Sequence, residues 1–498
     1  MDRLKDIFAK PKKMKPGFLI KLLCGPLLFL LIVLFANLSP DQPHVTLMAG
    51  VITWVACWWL TEVVDLAVTS LLPLVLLPAL GIMDAKTTAL QYNDQVIFLF
   101  VGGFILSFAI EKWDLHKRIS LKILSLIGTS PVKILAGVMF TTYFISMWMS
   151  NTATVMMLLA AVLAINYNIQ QEIGDTIKNN IPSALLLGLA YSASIGGMAT
   201  LVGTPTNMIF YSFYQTNLPL AEAMTFTKWF AIGFPISLLL LIGTFFILRY
   251  RYISKESNIK FDTSYFKDAY KKLGTFSFEE KTVTLLFSIT ALLWFTRSDM
   301  NFGAFTFHGW SNLFDKKEFV QDSTVAIFMA MLLFIIPSKK EKGQQLLMWE
   351  DAKKIPYDII LLFGSGFALA KGFEVSGLSK WLAGQLNFLE GVHPFLIVLS
   401  VCIVVCVISE FASNVASIQL VLPILLVLSS RLNIDPFLLM IPATLAASLG
   451  YILPVATAPN TIVYGSKLFP VKHMLRAGAF VDALGIVLIS VAIYFFLS

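Results

Sequence analysis

The hydropathy of the chain alternates between long apolar segments and short charged loops. A helix needs about 17 to 25 mostly apolar residues to cross a bilayer. The pattern predicts nine unbroken crossings, at 17–38, 46–64, 66–84, 94–111, 228–250, 282–298, 322–337, 357–372 and 477–497. Two more segments resume after a polar interruption, 182–200 with 207–217 and 438–453 with 460–469. Each pair is interpreted as one broken crossing, which is tolerated at membrane depth only inside protein or beside a water-filled cavity.

A polar cluster occurs twice, each time near the centre of a further apolar stretch. The stretch 131–165 contains S-x-x-x-S-N-T at 146–152, and the stretch 394–430 contains S-x-x-x-S-N-V at 409–415. The two copies lie 263 residues apart. Because polar groups are costly to bury in lipid, a cluster that is buried twice predicts one site assembled from two halves.

The placement of Lys and Arg predicts how these two stretches enter the membrane. Short cytoplasmic loops carry the positive charge, and the basic segments are the N-terminus, 112–133, 249–281, 339–354 and 472–476. With a cytoplasmic N-terminus and 11 crossings, all five lie inside only if both stretches are re-entrant hairpins that enter from opposite sides. The C-terminus then lies outside. Oppositely oriented copies are typical of secondary transporters, whose sites lie where the repeats meet.

Composition supports a membrane protein and excludes an ordinary soluble one. Of the 498 residues, 57% are hydrophobic and 13% are charged, with a mean hydropathy of +0.77. The net charge of +7 is explained by loops beside the crossings and does not indicate nucleic acid as a partner. The N-terminal apolar stretch has no typical cleavage site, so it is interpreted as a retained first crossing. The four cysteines lie in apolar runs without metal-ligand spacing, and no catalytic motif indicates an enzyme or a cofactor.

The doubled cluster has the chemistry to bind a cation and an anion together. On the arm of a hairpin, Ser146 and Ser150 would share a helix face while Asn151 and Thr152 occupy the turn, and the second copy would match. Hydroxyl, amide and free backbone oxygens suit a small alkali cation. Amide and hydroxyl hydrogens and the N–H groups of half-helices suit an anion. The alternative is that these groups only hydrogen-bond kinked backbone or allow close helix packing.

No Lys or Arg lies in either tip or either break, so a dianion there would depend on neutral donors and co-bound cations. Two intramembrane carboxylates, Glu410 and Asp482, are further candidates. Glu410 is expected to support its hairpin through an internal hydrogen bond or ion pair. Glu62 and Asp65 are expected near the cytoplasmic interface.

Several motifs together resemble one known family over nearly the whole chain. They are Thr61-Glu62 leading into LAVTSLLPLVLLPALG at 66–81, Ser150-Asn151-Thr152, GTPTN at 203–207 and LPVATAPN at 453–460. The family is that of the divalent-anion:sodium symporters, carriers of succinate, malate, fumarate, 2-oxoglutarate and citrate. The resemblance implies an all-α polytopic protein with 11 transmembrane helices plus two re-entrant hairpins in inverted-topology repeats. It also implies a homodimer in the plasma membrane.

The resemblance further implies that each protomer divides into a scaffold domain and an elevator-type transport domain. The expected parts are scaffold 1–125, transport 126–254 with the first hairpin and broken helix, a cytoplasmic linker 255–281, scaffold 282–389, and transport 390–498 with the second hairpin and broken helix.

The resemblance also implies a set of ligand residues. The first sodium site would use Ser146, Ser150, Asn151 and the backbone near Gly203, and the second would use Ser409, Ala412, Asn414 and the backbone near Ala456. The dicarboxylate would lie between Ser150, Asn151, Thr152 and Thr204 on one side and Ser413, Asn414, Val415 and Thr457 on the other.

The chain departs from the family pattern at a few of these positions. Val415 stands where a Thr is usual, so the second tip lacks one hydroxyl, and Thr206, Ala458 and Asp65 stand where prolines are common. Because a donor is missing, sodium symport and dicarboxylate exchange both remain open. The expected function is secondary active transport of C4 and C5 dicarboxylates, and the alternative is an anion channel built on the same tips.

Overall fold

The computed structural model describes residues 17–126, 130–173, 180–218, 224–253, 264–301 and 305–497, which are almost entirely helical. The first helices are α1 Phe18–Phe35, α2 Pro43–Thr61, α3 Leu66–Thr69, α4 Leu72–Ala79, α5 Ala85–Leu90, α6 Gln95–Lys112, α7 Leu115–Leu126, α8 Pro131–Ser146, α9 Asn151–Ile173, α10 Ile181–Met198, α11 Pro205–Asn217, α12 Phe226–Tyr252 and α13 Ser264–Lys272. They are followed by α14 Phe278–Phe295, α15 Asp322–Ile335, α16 Trp349–Ala352, α17 Tyr357–Val375, α18 Leu378–Gln385, α19 Pro394–Phe411, α20 Asn414–Leu432, α21 Pro436–Ala447, α22 Ala458–Gly465 and α23 Val471–Leu497.

A small hairpin departs from the all-α prediction. Strands β1 Met300–Asn301 and β2 Thr306–Phe307 pair antiparallel, with Met300 opposite Phe307. They lie in the Phe-rich loop between α14 and α15, where short 3-10 turns also occur at Trp310–Leu313 and Lys317–Phe319.

Helix length supports a polytopic membrane protein. Eight helical segments of the described part are long and apolar enough to cross a bilayer, and one bent pair, Tyr357–Val375 with Leu378–Leu389, would add a ninth. The predicted crossing at 66–84 is shorter than expected, because the apolar helix Leu66–Ala79 is interrupted after Thr69. The count of 11 crossings therefore stays a prediction, and residues 1–16 of the basic N-terminus lie outside the described residues.

The cytoplasmic linker predicted at 255–281 is partly described. Residues 254–263 lie outside the described part, and α13 and the start of α14 follow. Arg118 of α7 reaches this segment, where its guanidinium donates to Glu280 and to the backbone carbonyl of Gly274, 3.0 Å away. This buried ion pair ties the loop between the predicted halves to the loop before the first polar cluster.

Each polar cluster lies where one helix ends and the next begins. Helix α8 begins at Pro131, a favourable first helical residue, and ends at Ser146, while α9 begins at Asn151. Helix α19 likewise begins at a proline, and α20 begins at Asn414. Both arms of the second stretch, with 18 and 19 residues, are long enough to cross on their own, so re-entrance stays a prediction.

Both predicted broken helices are broken in the structure, but the second break is longer than expected. The first break covers 199–204, between α10 and α11. The second covers 448–457, because α21 ends at Ala447, six residues before the predicted boundary. Gly450, within the second break, has a φ of 145°, a backbone conformation that residues with a Cβ atom rarely adopt.

Helices α12 and α23 lie in corresponding positions beside the two breaks. Each is 27 residues long and lies against the break of its own half. A Cβ at Gly233 of α12 would lie 2.7 Å from the Met198 carbonyl oxygen, and one at Gly478 of α23 would overlap the Tyr451 backbone. A glycine therefore lets each long helix touch the polar backbone of the break directly.

Candidate functional site

A cavity of about 1080 Å³ lies where the two tips and the two breaks meet. It is lined by 148–152 and 411–415 from the tips and by 202–205 and 455–459 from the breaks. The two halves of the sequence thus face one space, as the doubled cluster predicts. The predicted site residues that line it are Ser150, Asn151, Thr152, Gly203, Thr204, Ala412, Ser413, Asn414, Val415, Ala456 and Thr457.

The two remaining predicted ligands, Ser146 and Ser409, lie behind the cavity wall and are fully buried. The Ser146 hydroxyl oxygen is 2.7 Å from the side-chain oxygen of Asn151 and 2.7 Å from the carbonyl oxygen of Ala193. A hydroxyl has a single hydrogen, so it cannot fully satisfy both acceptors. The result is a first cluster of three neighbouring oxygens beside the first break.

The second half repeats this geometry. The Ser409 hydroxyl oxygen is 2.7 Å from the side-chain oxygen of Asn414 and 2.6 Å from the carbonyl oxygen of Ala447. Both clusters therefore contain one hydroxyl, one amide oxygen and one backbone carbonyl. The carbonyl belongs to Ala193, within α10, in the first half and to Ala447, the last residue of α21, in the second. Oxygen ligands of this kind suit hard cations, so each cluster could contribute to a site for a small alkali cation.

Two asparagines that the sequence interpretation did not assign to the site hold the breaks. The side-chain N–H₂ of Asn207 donates to the carbonyls of Gly197, at 3.0 Å, and Thr200, at 2.7 Å. The corresponding group of Asn460 donates to the carbonyls of Gly450 and Leu453, at 2.9 and 3.1 Å. The sequence feature that could have indicated this role is the asparagine that ends both break motifs, GTPTN and ATAPN.

The tips differ from the predicted arrangement. Because α8 ends at Ser146 and α9 begins at Asn151, Ser146 and Ser150 do not share a helix face, and Asn151 and Thr152 form the first turn of a helix instead of the loop. Ser150 caps this helix, since its hydroxyl accepts a hydrogen bond from the Ala153 N–H at 3.2 Å. The second tip has the same register, with Ser413 before α20.

This register turns the positive ends of helices towards the cavity. Helices α9 and α20 begin at the tips, and α11 and α22 begin at the ends of the breaks. Thr457 caps α22 by accepting from the Asn460 N–H at 3.3 Å, whereas the Thr204 hydroxyl makes no such bond at α11. Free N–H groups at helix starts favour negative charge, so the cavity wall can bind an anion without a cationic side chain.

Charged residues line only the mouth of this cavity within the described part of the chain. They are Lys21, Glu62 and Lys354, all exposed to solvent, whereas the tips and breaks contribute neutral groups. Glu62 therefore lies at the mouth, and Asp65 caps the short helix α3, accepting from the Ala67 N–H. Both side chains are exposed, and their place at the cytoplasmic interface stays a prediction.

Two departures from the family pattern have visible consequences. Thr206, where proline is usual, lies within 3.0 Å of the Ser448 hydroxyl and so links the first break to the second. Val415 also lines the cavity. It occupies the position in the second tip that Thr152 occupies in the first, and it has no hydroxyl. Glu410 does not line the cavity, and its carboxylate accepts from the Ile452 and Leu453 N–H groups, which confirms the internal hydrogen bond expected of it.

Comparison with known proteins places these features in context. Residues 19–497 match the family model described as the sodium:sulfate symporter transmembrane region. A sodium-dependent dicarboxylate transporter, SdcS, of Staphylococcus saprophyticus is 39% identical over 490 residues, which cover 97% of this chain and 92% of that protein. Its counterpart in Staphylococcus aureus strain NCTC 8325 is 40% identical over 505 residues, covering 99% and 94%.

A solved structure shares the fold at much lower identity. MtrF of Neisseria gonorrhoeae, described as representing a class of antimetabolite efflux pumps, has a TM-score of 0.55 at 13% identity. The similarity covers 82% of this chain and 83% of that one, and it concerns the fold alone.

Gly197 offers a direct test of the first oxygen cluster. A Cβ at this position would lie 2.6 Å from the Asn151 side-chain oxygen and 3.1 Å from the Gly203 carbonyl oxygen, so the variant Gly197→Ala must displace ligands. We expect it to remove about half of the sodium bound at saturation, because the second cluster remains intact. Equilibrium binding of radioactive sodium to purified protein measures this loss.

The control is Gly465→Ala, because a Cβ there meets no atom within 4 Å. It should bind as much sodium as the unmodified protein. Full sodium binding by Gly197→Ala would show that the first cluster is not a cation site.

Proposed function

Because the chain belongs to the divalent-anion:sodium symporter family, we propose that it carries C4 and C5 dicarboxylates across the plasma membrane together with sodium. The observation that carries this proposal is the pair of matching oxygen clusters behind one cavity with neutral walls. Succinate, malate, fumarate and 2-oxoglutarate are the proposed substrates. The Staphylococcus relatives are named sodium-dependent transporters, and this favours sodium symport over dicarboxylate exchange.

Sodium would bind at the two clusters, as a transported ion rather than a fixed cofactor. Ser146, Ser150, Asn151 and the Gly203 backbone would form the first site. Ser409, Ala412, Asn414 and the Ala456 backbone would form the second. The close approach of Gly197 to Asn151 supports this assignment, because it holds the amide oxygen beside the backbone of the break.

The dicarboxylate would lie in the cavity between the two tips. One carboxylate would accept from Ser150, Asn151 and Thr152, and the other from Ser413, Asn414 and Thr457, with Thr204 nearby. A C4 or C5 diacid carries its charges at both ends, which fits donors placed on opposite walls. The proposed ligands include Val415 as an apolar contact.

Neutral walls give a physical reason for coupling. A dianion that leaves water loses a large hydration energy, and no Lys or Arg of the tips or breaks compensates for it. Two sodium ions beside the same asparagines would cancel the charge of the substrate. The substrate would therefore bind well only when the cations are present, and this dependence couples the two fluxes.

An elevator movement is the proposed transport step. The breaks are bonded to each other through Thr206 and Ser448, and Tyr191 of α10 donates to the Tyr451 carbonyl at 2.9 Å. These bonds support movement of both halves as one body. Ser212 also contacts Asp94 of the predicted scaffold at 3.2 Å. Such contacts between the two predicted domains would have to break and be replaced as the transport domain moves.

The charge pattern suggests which side the cavity faces. Its mouth lies beside Lys21 and Lys354, in segments that the distribution of positive charge assigns to the cytoplasm, so we propose an inward-facing state. A separate crevice of about 810 Å³ includes Lys380, in a loop assigned to the outside, and shares no lining residue with the first. The N-terminus would lie in the cytoplasm, the C-terminus outside, and the protein would form a homodimer.

Uptake into proteoliposomes tests the function directly. Labelled succinate should accumulate against its gradient when sodium is present outside and potassium replaces it inside. Stimulation by internal dicarboxylate alone, without a sodium gradient, would indicate exchange. Currents with single-channel steps and no saturation would support the anion channel, and no uptake of any C4 or C5 diacid would contradict the proposal.

Asn151→Ala and Asn414→Ala should each reduce sodium-dependent uptake at least tenfold. Each asparagine faces both a cation and a carboxylate, and a lost bond to a charged group costs roughly 1.5–3 kcal/mol. Asn217→Ala is the matched control, because among the described residues the hydrogen bond of this side chain goes to the Phe213 carbonyl at the end of α11, away from the tips. Near-normal uptake in both variants would refute the two-tip site.

Val415→Thr restores the hydroxyl that the second tip lacks, in a side chain of almost the same shape. We expect the KM for succinate to fall severalfold, about 1 kcal/mol for one added hydrogen bond. The measurement is the KM for succinate and for 2-oxoglutarate at saturating sodium. Unchanged KM values for both substrates would show that position 415 does not contact the substrate.

A further inference from the structure

A second opening lies between the predicted scaffold and the predicted transport domain, on the side that the charge pattern assigns to the outside. This outer crevice, of about 810 Å³, is lined mainly by α17 and α18 of the scaffold and by the later parts of α11 and α20 of the transport domain. The first turns of α11 and α20 line the cavity between the two tips, through Met208 and Val415 among others. These two helices therefore run from one opening to the other.

The repeat relates the outer crevice to the cavity at the tips. At the offset of 263 that joins the two polar clusters, Phe104 of α6 corresponds to Phe367 of α17. Phe108 corresponds in the same way to Lys371. The first member of each pair lines the cavity, and the second member lines the crevice. The same face of each scaffold helix thus borders one opening.

A contact between α6 and α17 supports this relationship. Phe100 and Phe363 correspond at the same offset, and their ring centroids lie 5.2 Å apart. Two copies related by a pseudo-two-fold axis meet at equivalent residues where they cross that axis. The crevice therefore occupies, in relation to α17, the position that the cavity occupies in relation to α6.

A short length of helix separates the two openings. On α20, Val415 lines the cavity and Pro423 lines the crevice, and the helix between them rises about 12 Å. On α11, Met208 lines the cavity and Phe213 lines the crevice, with a rise of about 8 Å. A shift of the transport domain by a comparable distance would bring the two tips to the level of the crevice.

Positive charge distinguishes the crevice from the neutral tips. The cationic side chains that line it are Lys371, Lys380 and Arg431. Among the described residues one carboxylate, that of Glu374, lines it as well. In the first half an apolar residue, Phe108, takes the place of Lys371. A cleft with a surplus of positive charge attracts anions and raises their local concentration, so the crevice favours a dianion.

The two lysines are available to an anion that enters the crevice. Lys371 pairs with Glu374 at 2.8 Å, but their side chains are 41% and 66% exposed, and such surface pairs are weak. Lys380 forms no ion pair with any other described residue, whereas Arg431 is held by Glu390 at the base of the second hairpin. Both lysines belong to the predicted scaffold, so they would stay in place while the transport domain moves.

We propose that the outer crevice is the entrance of the transport path and that Lys371 and Lys380 bind the incoming dicarboxylate there before it reaches the two tips. The proposal rests on the inward-facing carrier of the proposed function. The neutral tips would receive a substrate that the charged entrance has already concentrated. Because the lysines remain with the scaffold, their attraction would not follow the substrate inward and would not oppose its release.

Uptake by intact cells that express the full chain and have no other dicarboxylate uptake tests the outer face. Lys371→Gln and Lys380→Gln should each raise the KM for external succinate about threefold at low ionic strength, and high salt should shrink this difference. The maximal rate should change less than about twofold, because the tips are untouched. Lys371→Arg keeps the charge and should keep the KM of the unmodified protein.

The matched control is Lys353→Gln. Lys353 forms the same kind of exposed pair, with Glu350 at 3.5 Å, but it lines neither opening. Its replacement should leave the KM for succinate unchanged. An equal rise in Lys353→Gln and Lys371→Gln, or no rise in either variant of the crevice, would overturn the proposal.

Sodium gives a second readout that a structural defect would not reproduce. Loss of a positive charge from the entrance favours a cation, so the half-saturating external sodium concentration should fall or stay the same in Lys371→Gln. A rise in this concentration together with the KM for succinate would indicate a damaged central site and would contradict the proposal.

Inverted membrane vesicles separate the two faces of the carrier. The KM for succinate presented at the cytoplasmic face should be the same in Lys371→Gln as in the unmodified protein. If uptake is sodium-dependent but the KM changes equally at both faces, the entrance is wrongly assigned and the proposed function still stands. If the unmodified protein takes up no C4 or C5 diacid, both are wrong.

Discussion

Every backbone N–H and carbonyl group at membrane depth needs a partner, and this requirement organises the structure around the two breaks. Where a helix unwinds in an apolar environment, each free group costs several kcal/mol. Asn207 and Asn460, which follow the breaks, donate to carbonyls in or beside them. Ser146 lies beside the Ala193 carbonyl within α10, and Ser409 lies beside the Ala447 carbonyl at the end of α21. The side chains that stabilise the unwound backbone are therefore the same groups, or their direct neighbours, that could bind cations.

Because side-chain amides hold carbonyls of both breaks, the breaks can be rigid and still expose oxygens. The hydroxyl of Ser146 or Ser409 lies within hydrogen-bonding distance of two acceptors and has one hydrogen to give. Three oxygens that are held so close together gain from a cation that all of them can face. Each cluster therefore has one hydroxyl hydrogen for two acceptors, and this is the basis of the alkali-ion site proposed there.

The repeated polar positions could be predicted from sequence, because a polar residue is easily recognised within an otherwise apolar membrane segment. The S-x-x-x-S-N clusters, both breaks and the internal bond of Glu410 follow from that contrast. The register of the tips could not, since it depends on where α8 ends, and a shift of a few residues changes which side chains share a face. The early end of α21 was also missed, because the freed N–H groups of Gly450 and Tyr451 donate to Asp482. Asp482 lies 35 residues beyond Ala447 and meets the break only after α23 packs.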